Sequence, residues 1–286
     1  MFSYRPKPSV YSVSITGHRC ELGCRHCQGK YLLGMEPVED PESLLEAFLR
    51  AKEKGAKSIL ISGGFDKRGR LPVMDFMGAI RQGKIRTGLV VEMHSGLIKE
   101  ANKLRDSGVD ALLLDVIGDQ ETIDEYLGGA WSTVDYADVL REGKRHIPLV
   151  AAHILVGVKE GKIIGEFKAV DMIAEANVDA LSILTPMDAK SPELDELVRV
   201  MGYARDRFRG HLTLGCMRTR GKDRQEIEEV AVDLGFDGIA NPLNSTLRYA
   251  ESAGVQVKEV EWCCVFTPNR IPKSTKDPLD VHREGK

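Results

Sequence analysis

At 286 residues with a net charge of −3, 42% hydrophobic and 29% charged, the chain has ample apolar mass for a core and is too apolar to stay disordered. The near-neutral balance, with a sequence pI near 6.2, provides no basic field for nucleic acid or an anionic membrane. No apolar run approaches the roughly 18 residues of a membrane span, and Met1-Phe2-Ser3-Tyr4-Arg5-Pro6-Lys7-Pro8 lacks the apolar stretch of a secretory signal, so the expectation is a cytoplasmic protein.

Short apolar strands alternate with amphipathic helices along the chain. The first strand is expected over residues 10–16. A helix follows, capped by Asp40-Pro41 and ended at Gly55, with Leu44, Leu45, Phe48 and Leu49 on its buried face. Further strands are expected over 58–62, 89–94, 111–116, 149–156, 180–184, 212–216 and 238–240. Helical patterns over 72–82, 97–107, 134–143, 164–176, 192–207, 223–234 and 244–253 separate or follow them. Three segments, "SGVDALLLD", "ANVDALSIL" and "LGFDGIANP", each run from a helix end through a turn into an apolar strand, as strands buried on both faces do. Eight strands and eight helices in a chain of this length predict an α/β fold, a (β/α)8 TIM-type barrel, whose usual size is about 250 residues. Residues 1–266 would form the barrel with a C-terminal extension strand, and 267–286 a polar tail. Chemistry in such barrels sits where strands end, on the C-terminal rim.

Six cysteines fall in two groups, Cys20, Cys24 and Cys27, then Cys216, Cys263 and Cys264. Three thiols in the loop after the first strand suit three corners of an iron–sulfur cubane, leaving the fourth iron open for a substrate or cofactor. A zinc knuckle with His18 or His26 as fourth ligand is the alternative, and would make the chain a non-enzymatic, zinc-stabilised binding barrel. The spacing C-x3-C-x2-C with His26 before the last Cys resembles the signature of the radical S-adenosylmethionine (SAM) superfamily.

That resemblance implies a 4Fe-4S cluster on Cys20, Cys24 and Cys27, and SAM cleaved to a 5′-deoxyadenosyl radical that abstracts hydrogen inside the barrel. It also implies SAM contacts. Ser62-Gly63-Gly64-Phe65 is similar to the family's Gly-Gly-Glu turn, keeping Gly63 and Gly64 but not the acid. His153-Ile154-Leu155-Val156-Gly157-Val158-Lys159-Glu160 is similar to the adenine-supporting motif, keeping Gly157 and Glu160 and placing His153 at its first Gly. His94 and Asp115 end strands at which ribose and carboxylate contacts are usual in the family.

Cys216 ends a strand, and eight extended residues of about 3.3 Å each from Val255 to Trp262 are long enough to lift Cys263 and Cys264 to the same rim. Three thiols there would suffice for an auxiliary cluster, and small buried thiols or a redox pair are the alternatives. Small radical enzymes with a second cluster resemble biotin synthase and lipoyl synthase. The run from Gly215 to Gly221 and the late Cys-Cys look closest to the archaeal-type two-component lipoyl synthases. This likeness implies sulfur insertion into an octanoyl chain on a carrier protein, Arg218 orienting substrate or cluster, an electron donor and a companion radical SAM protein. A radical rearrangement or carbon–carbon cleavage of a small metabolite is the alternative reaction.

Overall fold

The computed structural model describes residues 1–187, 190–219, 221, 223–267 and 269. Strands β1 (Phe2–Tyr4), β2 (Val10–Ser14) and β3 (Glu36–Pro37) precede helix α1 (Pro41–Glu53). From there strand and helix alternate through β4 (Ser58–Ser62), α2 (Met77–Thr87), β5 (Val90–His94), α3 (Ala101–Asp106), β6 (Ala111–Asp115) and α4 (Thr133–His146). The second half holds β7 (Leu149–Leu155), α5 (Glu166–Glu175), β8 (Ala180–Leu184), α6 (Leu194–Arg207) and β9 (His211–Leu214). It ends with α7 (Arg224–Asp233), β10 (Gly238–Ala240), α8 (Asn244–Ser252) and β11 (Lys258–Val260).

Local chemistry explains these boundaries. Asp40 accepts a hydrogen bond from the Ser43 amide at 2.8 Å while Ser43 Oγ accepts one from the Asp40 amide, a reciprocal cap that starts α1 at Pro41. The helix buries Leu44, Ala47, Phe48 and Ala51; Leu49, expected on that face, is 38% exposed. Positions 44, 47, 48 and 51 follow the 3.6-residue period, which leaves Leu45, also expected on that face, half-buried and Leu49 outside it.

All ladders are parallel, and the sheet runs β11-β1-β10-β9-β8-β7-β6-β5-β4-β2-β3. Every one of the eight expected strands is present, in neighbouring order, forming a curled sheet. Closure into the expected full (β/α)8 barrel is not observed. The edge of β10 that would meet β2 is taken by β1, with Phe2 opposite Gly238, and the free edge of β2 is taken by β3. Across the remaining seam, among the described residues, side chains make the contact: Glu261 accepts from Ser9 at 3.3 Å and pairs with Lys57 at 2.8 Å.

The convex face carries the main core against the helices, including Phe48, Ile59, Ile61, Met93, Leu112 and Leu181. The concave face is filled at one end by the C-terminal segment. β11 lies parallel to β1, and the chain then turns inward so that Val265 and Phe266 pack with Val90, Ala111, Leu149 and Ala180. Tyr4 Oη donates to the Phe266 carbonyl at 2.7 Å and pins this plug. Most of the expected polar tail lies outside the described residues. Among those described, no helix is long and apolar enough to cross a membrane.

Candidate active site

The loop after β2 curls because four residues adopt left-handed backbone: Gly17 (φ +58), Gly23 (φ +62), Gln28 (φ +49) and Gly29 (φ +76). The amides of Cys27 and Gln28 both donate to the Cys24 carbonyl, at 3.2 and 2.9 Å, which turns Cys24 and Cys27 to the same side. Their thiols interact directly. Cys27 is the one that ionises, favoured first by the Cys24 thiol and then by His26, against the opposing effect of burial. Cys24 is correspondingly held protonated, and the charge of Cys20 adds to that. His26 stacks on Tyr126 at 6.4 Å between ring centroids, and its Nδ1 is buried without a partner.

The turn after β4 seats this loop. Thr16 Oγ1 accepts from the Gly64 amide at 2.7 Å and donates to the Arg19 carbonyl at 2.8 Å. The Phe65 carbonyl accepts from the Leu22 amide at 3.1 Å and lies 4.0 Å from Cys20 Sγ. A Cβ on Gly64 would come within 2.0 Å of the Arg19 carbonyl oxygen and 2.5 Å of Cys20 Cα. The Gly63-Gly64 turn, expected to hold SAM through its backbone, thus commits the Gly64 amide to seating the cysteine loop. Beneath the loop, Leu22 and Cys24 pack with Tyr126, Leu127, Leu155, Val158 and Leu184.

On the concave face His94, Asp115 and His153 converge from three adjacent strands. His153 Nδ1 lies 3.2 Å from Asp115 Oδ1, and the two imidazoles are 5.1 Å apart between centroids. Burial pushes Asp115 up, but the His153 hydrogen bond and the nearby imidazoles overcome it and hold the carboxyl at about 2. Burial pushes His94 down to about 4 despite Asp115, so His94 is neutral at physiological pH. Half of the Asp115 side chain (51%) is open to solvent even though protein surrounds it, which makes this part of the face an open, water-accessible hollow.

The late cysteines sit deeper than expected. Cys264 is buried with its Sγ 3.6 Å from Ser182 Oγ, and Ser182 in turn accepts from Thr213 at 3.1 Å. The Cys263 thiol stabilises the Cys264 thiolate, lowering Cys264 against the cost of burial. Trp262, Val265 and Phe266 are apolar and pull this segment off the rim onto the inner face. Cys216 remains exposed after β9 but within electrostatic reach of Cys264.

The remaining expected residues are placed differently. Gly157 has φ +74 and gives its amide to Glu166 Oε1 at 2.8 Å. Glu160 is exposed on a left-handed turn. The buried acid of this loop is Glu166, which also accepts from the Ile164 and Gly165 amides; an acid in the first turn of the helical pattern over 164–176 was its only sequence signal. Arg218, expected to orient substrate, is 5% exposed and binds Glu228 Oε1 at 2.9 Å, the Ala240 carbonyl at 2.7 Å and the Gly215 carbonyl.

Three thiols on one curled loop at the rim of a curled parallel sheet are the donor set of a soft iron cluster with one open site, and the unpartnered His26 Nδ1 beside them leaves a polar group for a bound ligand. The sequence comparison agrees. The model of the radical SAM superfamily matches residues 14–163, more than half of the chain. The chain belongs to that superfamily. It is accordingly a radical SAM enzyme with a 4Fe-4S cluster and SAM as its cofactors.

Among solved structures it is similar to methylornithine synthase PylB, with TM-score 0.57 and 15% identity over 87% of this chain and 82% of that one. It is also similar to the FeFe-hydrogenase maturase HydG of Carboxydothermus hydrogenoformans, with TM-score 0.56 and 14% identity over 90% and 67%. Streptococcus suis SuiB bound to SAM gives TM-score 0.53 and 15% identity over 91% of this chain but 55% of that one. At such identities the likeness is one of fold. No curated protein matches the sequence.

Proposed function

We propose that this protein inserts sulfur into an unactivated carbon, with an octanoyl chain on a carrier domain as the favoured substrate. The observation that carries this reading is the grouping of buried Cys264 and half-buried Cys263 on the concave face, with exposed Cys216 within electrostatic reach of Cys264. Packing alone does not call for a thiolate, and the Cys263 thiol favours one on Cys264.

When bound, the cluster and SAM supply a 5′-deoxyadenosyl radical that takes a hydrogen atom from the substrate. Cys20, Cys24 and Cys27 would hold that cluster. Gly63 and Gly64 fix the loop that carries it, and Gly157 and Glu160 shape the turn above β7 on the nucleotide side. Cys216, Cys263 and Cys264 would hold an auxiliary cluster as the sulfur source. Positioning cofactor and substrate against the curled sheet is the protein's share in cofactor chemistry. An electron donor is required, and a companion radical SAM protein would supply a second insertion.

The test is an anaerobic reaction of reconstituted protein with SAM, reductant and an octanoyl-lysine peptide. Thiolated peptide formed together with 5′-deoxyadenosine supports sulfur insertion. Uncoupled 5′-deoxyadenosine with no thiolated product favours rearrangement or carbon–carbon cleavage of a small metabolite, with the late cysteines as packing. The direct Cys263–Cys264 thiol contact is the observation that keeps this second reading open.

A further inference from the structure

The concave face holds a second set of metal-ligating side chains that neither the cluster loop nor the late cysteines use. His94 ends β5, Asp115 ends β6, and His153 lies opposite Asp115 in β7. One ligand atom from each lies within 4.8 Å of the others, and among the described residues this is the one His, Cys, Asp and Glu trio that meets that condition. We propose that His94, Asp115 and His153 hold a single divalent first-row transition-metal ion, at a site distinct from the cluster loop.

The geometry favours an ion. Two donors bonded to one ion at about 2.1 Å stand roughly 3 Å apart, and His153 Nδ1 and Asp115 Oδ1 are 3.2 Å apart. The His94 ligand atom lies within 4.8 Å of both and must close on them. Two imidazoles and one carboxylate form a borderline-soft set that suits iron, manganese, cobalt or zinc in the divalent state and disfavours calcium or magnesium. Parallel strands make the arrangement rigid, since ladder register fixes each ligand on the inward face. His153 is 9% exposed and walls the site, while Asp115 opens it to the hollow. An ion with three protein ligands there keeps open positions facing the substrate cavity, where it binds an oxygen or sulfur donor of the substrate. The sequence reading set His94 and Asp115 against the nucleotide; the register that brings His153 to them gives this different use, and the two uses exclude each other.

The experiment uses the full chain carrying Cys20→Ala, Cys24→Ala, Cys27→Ala, Cys216→Ala, Cys263→Ala and Cys264→Ala, so that no metal reports from either group of thiols. Titration with Co2+ should give one equivalent bound, with visible ligand-field bands and no thiolate charge-transfer band in the near ultraviolet. His94→Ala and His153→Ala should each weaken binding by more than about 100-fold, beyond what an outer-shell change produces. His94→Gln and His153→Gln, closer in volume, give the same loss in protein whose circular dichroism melt is unchanged. Absence of stoichiometric binding in folded protein would overturn the proposal. Co2+ binding unaffected by either histidine change, with SAM affinity lowered in the cluster-bearing protein, would return these residues to the nucleotide.

Discussion

Gly64 lies against Cys20 so closely that a single added methyl would meet Cys20 Cα at 2.5 Å and the Arg19 carbonyl at 2.0 Å. Both are backbone atoms and have no rotamer to give. The glycine turn and the cysteine loop are thus one mechanical unit, and the glycine pair supports the cysteine loop.

Gly64→Ala should therefore displace the loop and reduce iron incorporation on anaerobic reconstitution, with SAM cleavage falling in proportion. Iron and sulfide per chain is the measurement. Full iron content with weakened SAM binding would show instead that the turn cradles the cofactor.

Arg218 spans the loop after β9, the end of β10 and α7 through Glu228 and backbone carbonyls. Removing one partner of a buried ion pair leaves the other uncompensated, so Arg218→Met should cost about 3 kcal/mol, at the low end because Arg224 also pairs with Glu228. Chemical denaturation measures it. SAM cleavage well below the melting temperature should persist, and its loss in protein of unchanged stability would mean that Arg218 reaches the reacting groups.

Glu228 supplies a pH signature. Burial alone would raise its carboxyl, but the Leu243 amide, Arg218, Arg224 and Thr246 outweigh that and leave it below its ordinary value of 4.5. A depressed folded-state value means the contribution is complete above the unfolded value and fades as pH falls through the folded one. The stability gap between the parent and Glu228→Gln should be flat above about pH 5 and shrink progressively below it. A gap that does not change between neutral and acid pH would contradict the assignment.

Cys216→Ala, Cys263→Ala and Cys264→Ala together should remove roughly half the iron, if two similar clusters share it. SAM cleavage should continue, because other residues hold the radical cluster, while sulfur transfer to octanoyl-lysine stops. Unchanged iron in the triple variant would make these thiols structural.

Apolar strands recurring between amphipathic helices made all eight main strands legible, because strands buried on both faces read as continuous apolar runs. β1, β3 and β11 span two or three residues each, too few for any periodicity to register. Yet β1 and β3 occupy the edges of β10 and β2 that a closed barrel would join. The cysteine loop was plain because its ligands are adjacent in sequence. The trio of His94, Asp115 and His153 was not, since it exists only through the register of β5, β6 and β7. Cys263 and Cys264 were expected at the rim from chain length alone, and the apolar Trp262, Val265 and Phe266 that draw them inward were the signal passed over. Glu160 drew attention by motif position, whereas Glu166 does the binding in that loop because three backbone amides converge on it.

The central claim rests on Cys20, Cys24 and Cys27 as the ligands of a radical cluster. Its most direct test is 5′-deoxyadenosine formation from SAM by anaerobically reconstituted protein with a strong reductant, compared with the variant carrying Ala at all three positions. The account predicts iron, sulfide and turnover in the parent, and none of the turnover in the variant. Cleavage that persists without these three thiols would contradict it.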